Sequence, residues 1–335
     1  MSRAWPVLRP ARAGAVLLLL WLCAACGAKS PSAPTQSSST ASADAYLREI
    51  IAVMQQNSVN RLRIDWASFQ SQVLAKAPNA ATIADTYPAI QLALQLLDDH
   101  HSFYSRPNNG GGISNPLFPT GCGIATVDDP AVPADIGYVR IAAYSGANPP
   151  GFAASIQSDI RARDSASLAG WIVDLRGNGG GNMWPMIAGV GPVLGSGTVG
   201  FFVLPTGALQ PWDYGSGVAY LSGNAVVAAG TPYELLKRNP RVAVLTDKRV
   251  ASSGEAVAVA FRGRPNTRTL GTDTCGVPTA NAGFDLSDGA RLFLTTALDA
   301  DRAQNVYNAP LPPDEVITDP AALVQRAIAW LRTGS

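Results

Sequence analysis

The stretch "GWIVDLRGNGGGN", Gly170 to Asn182, constrains this chain more than any other. Trp171, Ile172 and Val173 form an unbroken apolar run, which suits a strand buried on both faces. Four glycines then fall within five positions, at Gly177, Gly179, Gly180 and Gly181. They permit close approach of the backbone to a neighbour and can turn N–H groups toward an anion. The segment "MWPMIAGVGPVL" continues as a helix. A buried strand, a glycine turn and a helix make the βα unit of an α/β protein. A phosphate cradle is the obvious rival. No G-K-[ST] follows the glycines and no acidic residue stands at dinucleotide-binding spacing, so nucleotide binding is set aside. A tight turn without a ligand is the plain alternative.

The same texture recurs. "GCGIATV", "IGYVRIAAY" and "RVAVLTD" read as strands, with "FAASIQSDIRARDS" as a helix ahead of "GWIVDLR". "RTLGT", "GFDLS" and "RLFLTTAL" are late strands, and "PAALVQRAIAWLRT" closes the chain as an amphipathic helix. Asp44 to Leu97 reads instead as about three packed helices of roughly 10–14 residues. "FFVLPTGALQPWDYGSG", Phe201 to Gly217, is loop-like and aromatic; it either lines a substrate cleft or is core plus covering loop. No internal repeat is visible. With 335 residues, 47% of them hydrophobic, a sizeable core is expected. A formal net charge of +1, without a long basic or acidic run, argues against a nucleic-acid partner.

The first 26 residues read as a signal peptide. Arg3, Arg9 and Arg12 form a positive leader, and "AVLLLLWL" is too short to span a bilayer comfortably. "CAACG" is similar to a bacterial lipobox, which makes Cys26 the lipidation site and a lipid-anchored membrane lipoprotein the expectation. Cys23 stands where that motif usually has Leu, so an ordinary secretory cut after Ala28 is the alternative. Either route exports the protein, to the periplasmic side of a membrane or as a soluble product. Residues 27–43 are Ser/Thr/Pro/Ala-rich and read as a flexible linker.

Processing would leave two cysteines, Cys122 and Cys275, which either pair in an oxidising compartment or remain buried thiols. There are two histidines in the whole chain and no Cys/His cluster at metal-ligand spacing. No metal and no cofactor is expected.

Three junctions carry unusual residues. In "KRVASSGEAVAVAF", Ser252-x-x-Glu255 is a capping box that begins a helix. A hydroxyl at that strand-to-helix turn is also placed for attack, with the Ser253 N–H beside it as an oxyanion donor. The second junction is the glycine turn. The third is "LLDDHHSFYSR", where His100 and His101 sit beside Asp98, Asp99 and Ser102. Any histidine base must come from here, although a surface histidine is usually only solvated.

In this order the three junctions resemble the C-terminal processing (tail-specific) serine proteases, the group that includes tricorn core proteases and interphotoreceptor retinoid-binding proteins. Asp99–Ser102 matches D-x-H-S, and Asp174–Gly181 matches D-L-R-x-N-G-G-G in full. Ser252–Glu255 matches S-x-x-E, Gly271–Gly276 matches G-x-x-T-x-G, and "PPDEVI" approximates P-D-x-x-V. The resemblance spans about residues 44–333. It implies a crotonase-like ββα core (107–335) behind an N-terminal helical bundle (44–106). Residues 107–135 are too few for the PDZ domain of many members. Many members also place a lysine base after the last glycine of G-x-x-T-x-G. Here Val277 stands there, and no lysine follows Lys248.

The resemblance therefore implies the tricorn-like arrangement, with Ser252 as nucleophile and His101 as base. Ser253 with Gly179 or Gly180 would form the oxyanion hole, and Ser102 would hydrogen-bond within the site. For the acid that orients His101, Asp301 is the expectation; a solvated turn carboxylate is its plainer alternative. The function expected is an exported serine peptidase acting on peptides or proteins. A non-catalytic relative binding a hydrophobic ligand or peptide in the same cleft, or an esterase using the same residues, are the alternatives.

Overall fold

Most of the apolar runs form strands, and the amphipathic segments between them form helices. The computed structural model describes residues 42–335. The expected signal segment, Cys26 and nearly all of the linker lie outside the described residues. Three helices come first, α1 (Ala43–Asn57), α2 (Trp66–Ala75) and α3 (Tyr87–Leu96), followed by short strands β1 (Phe103–Ser105) and β2 (Gly112–Ser114). Then come β3 (Ile136–Arg140), α4 (Pro149–Arg163), β4 (Gly170–Asp174) and α5 (Met183–Leu194). A run of four strands follows: β5 (Gly197–Val203), β6 (Leu209–Gly215), β7 (Val218–Leu221) and β8 (Asn224–Ala228). The last third holds β9 (Arg241–Thr246), α6 (Ser253–Phe261), β10 (Thr267–Gly271), β11 (Thr279–Asp285), β12 (Arg291–Ala300), β13 (Val306–Tyr307), β14 (Glu315–Val316) and α7 (Pro320–Thr333).

β14-β10-β9-β4-β3 form a parallel sheet. Its strands alternate between two cores, as a period of two requires. Trp171 and Val173 join Val139, Val242 and Val244 under α4, α5 and α6. Ile172 faces the other way, with Tyr138, Ala243 and Leu245, onto Leu323, Ala327, Ile328 and Leu331 of α7. Helices on both faces explain the continuous apolar runs. Local chemistry starts the helices: Asn148 Oδ1 accepts from Gly151 N at 3.0 Å ahead of α4, and Asp319 Oδ1 from Ala322 N at 2.7 Å ahead of α7.

The second sheet runs β2-β1-β12-β5-β6-β7-β8, with β11 and β13 also paired to β12. Every one of its pairings is antiparallel. Tyr46, Leu47, Ile50 and Leu94 of the N-terminal helices pack with Tyr104, Leu292 and Leu294 of this sheet. The α/β class is as expected, a crotonase-like core carrying an N-terminal helical bundle.

Two segments differ from their reading. "GCGIATV" is not a strand. It lies irregularly over the glycine turn, where Ala125 N donates to Gly177 O at 3.1 Å. A Cβ on Gly179 would stand 2.5 Å from Ile124 N, so glycine is what permits this cover. Cys122, in the same segment, is bonded to Cys275. Phe201–Gly217 is a hairpin, β5 paired to β6, rather than a loop.

β4 and β9 are parallel neighbours, with Asp174 opposite Leu245. Their C-terminal ends therefore emerge side by side, one into the glycine turn and the other toward Ser252. Sites in α/β sheets collect at such carboxyl ends.

Candidate active site

Ser252 is the N-cap of α6 and adopts φ 53° and ψ −120°. A positive φ at a non-glycine residue costs of order 1–3 kcal/mol and persists only where surroundings enforce it. Here Glu255 enforces it. Its Oε2 accepts from Ser252 N at 3.0 Å and from Val277 N at 2.9 Å. Its Oε1 accepts from Thr274 Oγ1 at 2.5 Å and Gly276 N at 2.8 Å. Glu255 is wholly buried, and burial outweighs these four bonds to raise its carboxyl above the usual range. The capping box thus reaches further than a helix start: it ties Ser252 to the G-x-x-T-x-G loop.

Asn178 staples the glycine turn to the segment that leads into Ser252 and to Ile141, just past β3. Asn178 Nδ2 donates to Ile141 O at 2.9 Å, and Asn178 O accepts from Ala251 N at 3.0 Å. A Cβ on Gly180 would come within 2.9 Å of Ser252 Cβ, so the turn lies directly against the serine. Gly180 N, however, donates to Asn178 Oδ1 at 2.9 Å. The N–H of Gly180, expected as an oxyanion donor, thus already has an acceptor. Gly179 N has no hydrogen-bond acceptor among the described residues, and neither does Ser253 N. The latter is expected of the first residue of a helix. The Ser253 hydroxyl donates to Gly181 O at 2.6 Å. At the head of the motif, Asp174 is buried and paired with Arg176 at 2.7 Å and Arg140 at 3.1 Å, which gives the D-L-R portion a structural role.

His101 and His100 have separate fates. His100 is half-exposed, with Asp98 3.6 Å away. His101 is buried, and its Nδ1 lies 2.7 Å from Thr279 Oγ1. Burial lowers its pKa to about 4, so the ring is neutral at pH 7. If Nδ1 carries the proton and donates to Thr279, Nε2 keeps the lone pair that a base needs. The backbone is fixed by Asp99, whose Oδ1 accepts from His101 N at 3.0 Å and Ser102 N at 2.9 Å. Ser102 Oγ donates to Asp99 Oδ2 at 2.5 Å and accepts from Thr295 N at 2.9 Å. Both its donor and an acceptor site are spent joining Asp99 to β12. Ser102, expected to hydrogen-bond within the site, bridges Asp99 and Thr295.

Asp301, expected to orient His101, is engaged elsewhere. Its carboxylate accepts from Ala303 N at 2.8 Å, Asn305 N at 3.0 Å, Asn305 Nδ2 at 3.0 Å and Tyr307 Oη at 2.7 Å. It closes its own turn and borders a different cavity, beside Arg262 and Tyr307. No carboxylate of the described residues hydrogen-bonds the His101 ring; Thr279 holds that place.

Ser252, Ser253, Gly181 and Thr279 line one cavity of about 410 Å³. Trp184, Phe202 and Leu204 give it an apolar wall, so the hairpin that reads as a loop does contribute to the cleft. Asp299 is a further lining residue. Thr279, Asn178 and Asp299 also belong to the site, although no expectation from sequence fell on them. Only Asn178 carried a local signal, since it stands inside the glycine motif. Among the described residues there is no cluster of three or more potential metal ligands, and no helix is long and apolar enough to cross a membrane.

The sequence model of peptidase family S41 matches residues 135–317. The chain belongs to this family. As an S41 member it is a serine peptidase, and the resemblance carried by the motif string is borne out. It is 28% identical over 291 residues to a nisin-resistance protein of Lactococcus lactis subsp. lactis, covering 86% of each chain. Among solved structures it is similar to a lipoprotein from Streptococcus agalactiae, with TM-score 0.69 and 23% identity over 88% of this chain and 98% of that one. The photosystem II D1 C-terminal processing protease has the same fold, with TM-score 0.55 and 15% identity over 88% and 98%.

Proposed function

We propose that this S41 peptidase cleaves peptide bonds with Ser252 as nucleophile and His101 as base. The observation that carries the reading is the shared cavity. Ser252 lines it, and so does Thr279, whose hydroxyl holds the neutral His101 ring. In this scheme His101 Nε2 takes the Ser252 Oγ proton as Oγ bonds to the peptide carbonyl carbon. Ser253 N and Gly179 N hold the carbonyl oxygen as it becomes negative; one such donor is worth about 2.7–4 kcal/mol in the transition state. The C–N bond then breaks, and His101 returns the proton to the leaving amine. Water hydrolyses the acyl-enzyme by the same proton route.

The substrate is a peptide or protein, and the Lactococcus relative makes nisin the first one to try. Export fits the positive leader and the similarity to a streptococcal lipoprotein. In this reading Cys26 carries the lipid and residues 27–43 let the catalytic part stand off the membrane; secretion without lipid is the alternative.

A fluorophosphonate probe tests the mechanism. The intact protein should label, Ser252→Ala should not, and His101→Ala should label far more slowly. A folded protein that binds peptide but never labels would favour a non-catalytic binder. Labelling retained in Ser252→Ala would overturn the assignment of the nucleophile.

A further inference from the structure

Asp299 lines the Ser252 cavity without serving any of the contacts that hold Ser252 or His101. It has no exposed surface, and neither Oδ1 nor Oδ2 has a hydrogen-bond partner. Its neighbours in the fold give it no reason to be there. Its β12 face is shared with Ala297, which also borders the cavity, while Leu298 points the other way. Opposite it in the ladder are Phe202 of β5 and Tyr307 of β13. Phe202 stands in the cavity wall, 6.2 Å from Trp184 in an edge-on arrangement.

An unpaired carboxyl in such a place is costly to ionise. Burial, with the Glu255 carboxyl adding like charge, pushes Asp299 well above the usual carboxylate range. Folding has therefore already removed water from this group. A positive charge arriving there meets an acceptor that need not be desolvated again. The small side chains Ala256, Ala280 and Ala297 leave room on this side, and the aromatic pair offers an apolar surface along the way. Because neither oxygen reaches the cavity surface, contact requires a side-chain rotation at the floor.

Resting on the peptidase reading above, we propose that Asp299 is a specificity-determining residue. It receives the cationic tip of a substrate lysine or arginine, whose aliphatic stem lies along Trp184 and Phe202 beside Ser252. An acid at the bottom of a cavity with apolar walls matches a long side chain that is apolar along its length and charged at its end.

The test uses fluorogenic peptides that differ only in carrying lysine, arginine or norleucine at each position flanking the cleaved bond. At one position kcat/KM should favour lysine or arginine over norleucine by roughly 30-fold or more, the effect of a buried charge pair. In Asp299→Asn the lysine-to-norleucine ratio should collapse toward one, mainly through KM. A general loss of activity does not move that ratio, so a merely structural role is told apart. Butylamine should compete with substrate for the wild-type enzyme, whereas butanol should not; this measurement needs no variant. A wild type that labels with fluorophosphonate but prefers neither cation overturns this inference alone. So does an unchanged ratio in Asp299→Asn, or absence of butylamine inhibition. A wild type that never labels removes the peptidase mechanism itself.

Discussion

Replacing Glu255 should separate two effects that its four hydrogen bonds combine. Oε1 serves Thr274 Oγ1 and Gly276 N, while Oε2 serves Val277 N and Ser252 N. Leu311 N donates to Thr274 Oγ1 at 2.9 Å, so that hydroxyl points its own proton at Glu255. Glu255→Gln keeps one oxygen. With that oxygen on the Ser252 and Val277 side, the new NH2 faces Gly276 N, donor against donor. The Thr274 hydroxyl can rotate and accept, which leaves one orphaned amide and a cost of about 1–3 kcal/mol. Glu255→Ala orphans all four donors. With water partly refilling the space, the cost is about 4–6 kcal/mol, against a typical total stability of about 5–15 kcal/mol. Ser252 N is also released, so its positive φ relaxes and activity is lost with stability. Urea denaturation of the purified protein at neutral pH, extrapolated linearly, measures both variants. Equal losses for Gln and Ala, or losses below about 1 kcal/mol for both, would refute the argument.

His101 is held at about 4 rather than 6.5, so the fold favours its neutral ring. The stability this contributes is complete above pH 6.5 and is lost as pH falls through about 4, amounting to about 3 kcal/mol. Stability measured across that window should fall more steeply for wild type than for His101→Gln; parallel curves would count against the buried ring. The Cys122–Cys275 bond spans 153 residues of sequence, and removing it with paired serine substitutions should cost about 2–4 kcal/mol in denaturant melts. An unchanged midpoint would mean the cross-link contributes nothing to the folded state.

What the sequence made legible follows from where each signal resides. β3, β4 and β9 are covered on both faces, so their apolar runs announce them without reference to the rest of the chain. The β5–β6 hairpin has one mixed face and turns at Pro205–Gly207, so it reads as a loop. "GCGIATV" has strand-like residues, but its partners are a glycine turn and a disulfide rather than a ladder. In the site, Ser252 is visible through its helix cap and His101 through the scarcity of histidine. Thr279 is invisible, because a threonine opening a strand gains its role from a ring 178 positions away. Asp299 and Asp301 lie two apart at the end of β12. Composition cannot tell which is buried without partners and which is consumed by its own turn.

The order of these parts along the polypeptide has a consequence for biosynthesis. His101 leaves the ribosome early, Ser252 much later, and Thr279 later still. β12, which supplies the partner for Ser102 Oγ and the cavity floor, is among the last pieces made. An incomplete nascent polypeptide therefore holds a histidine without its anchor and a serine without its floor. On the Ser252–His101 reading, such a peptidase would be inert until nearly all of its length has been translated, which would protect the translation machinery that handles it unfolded.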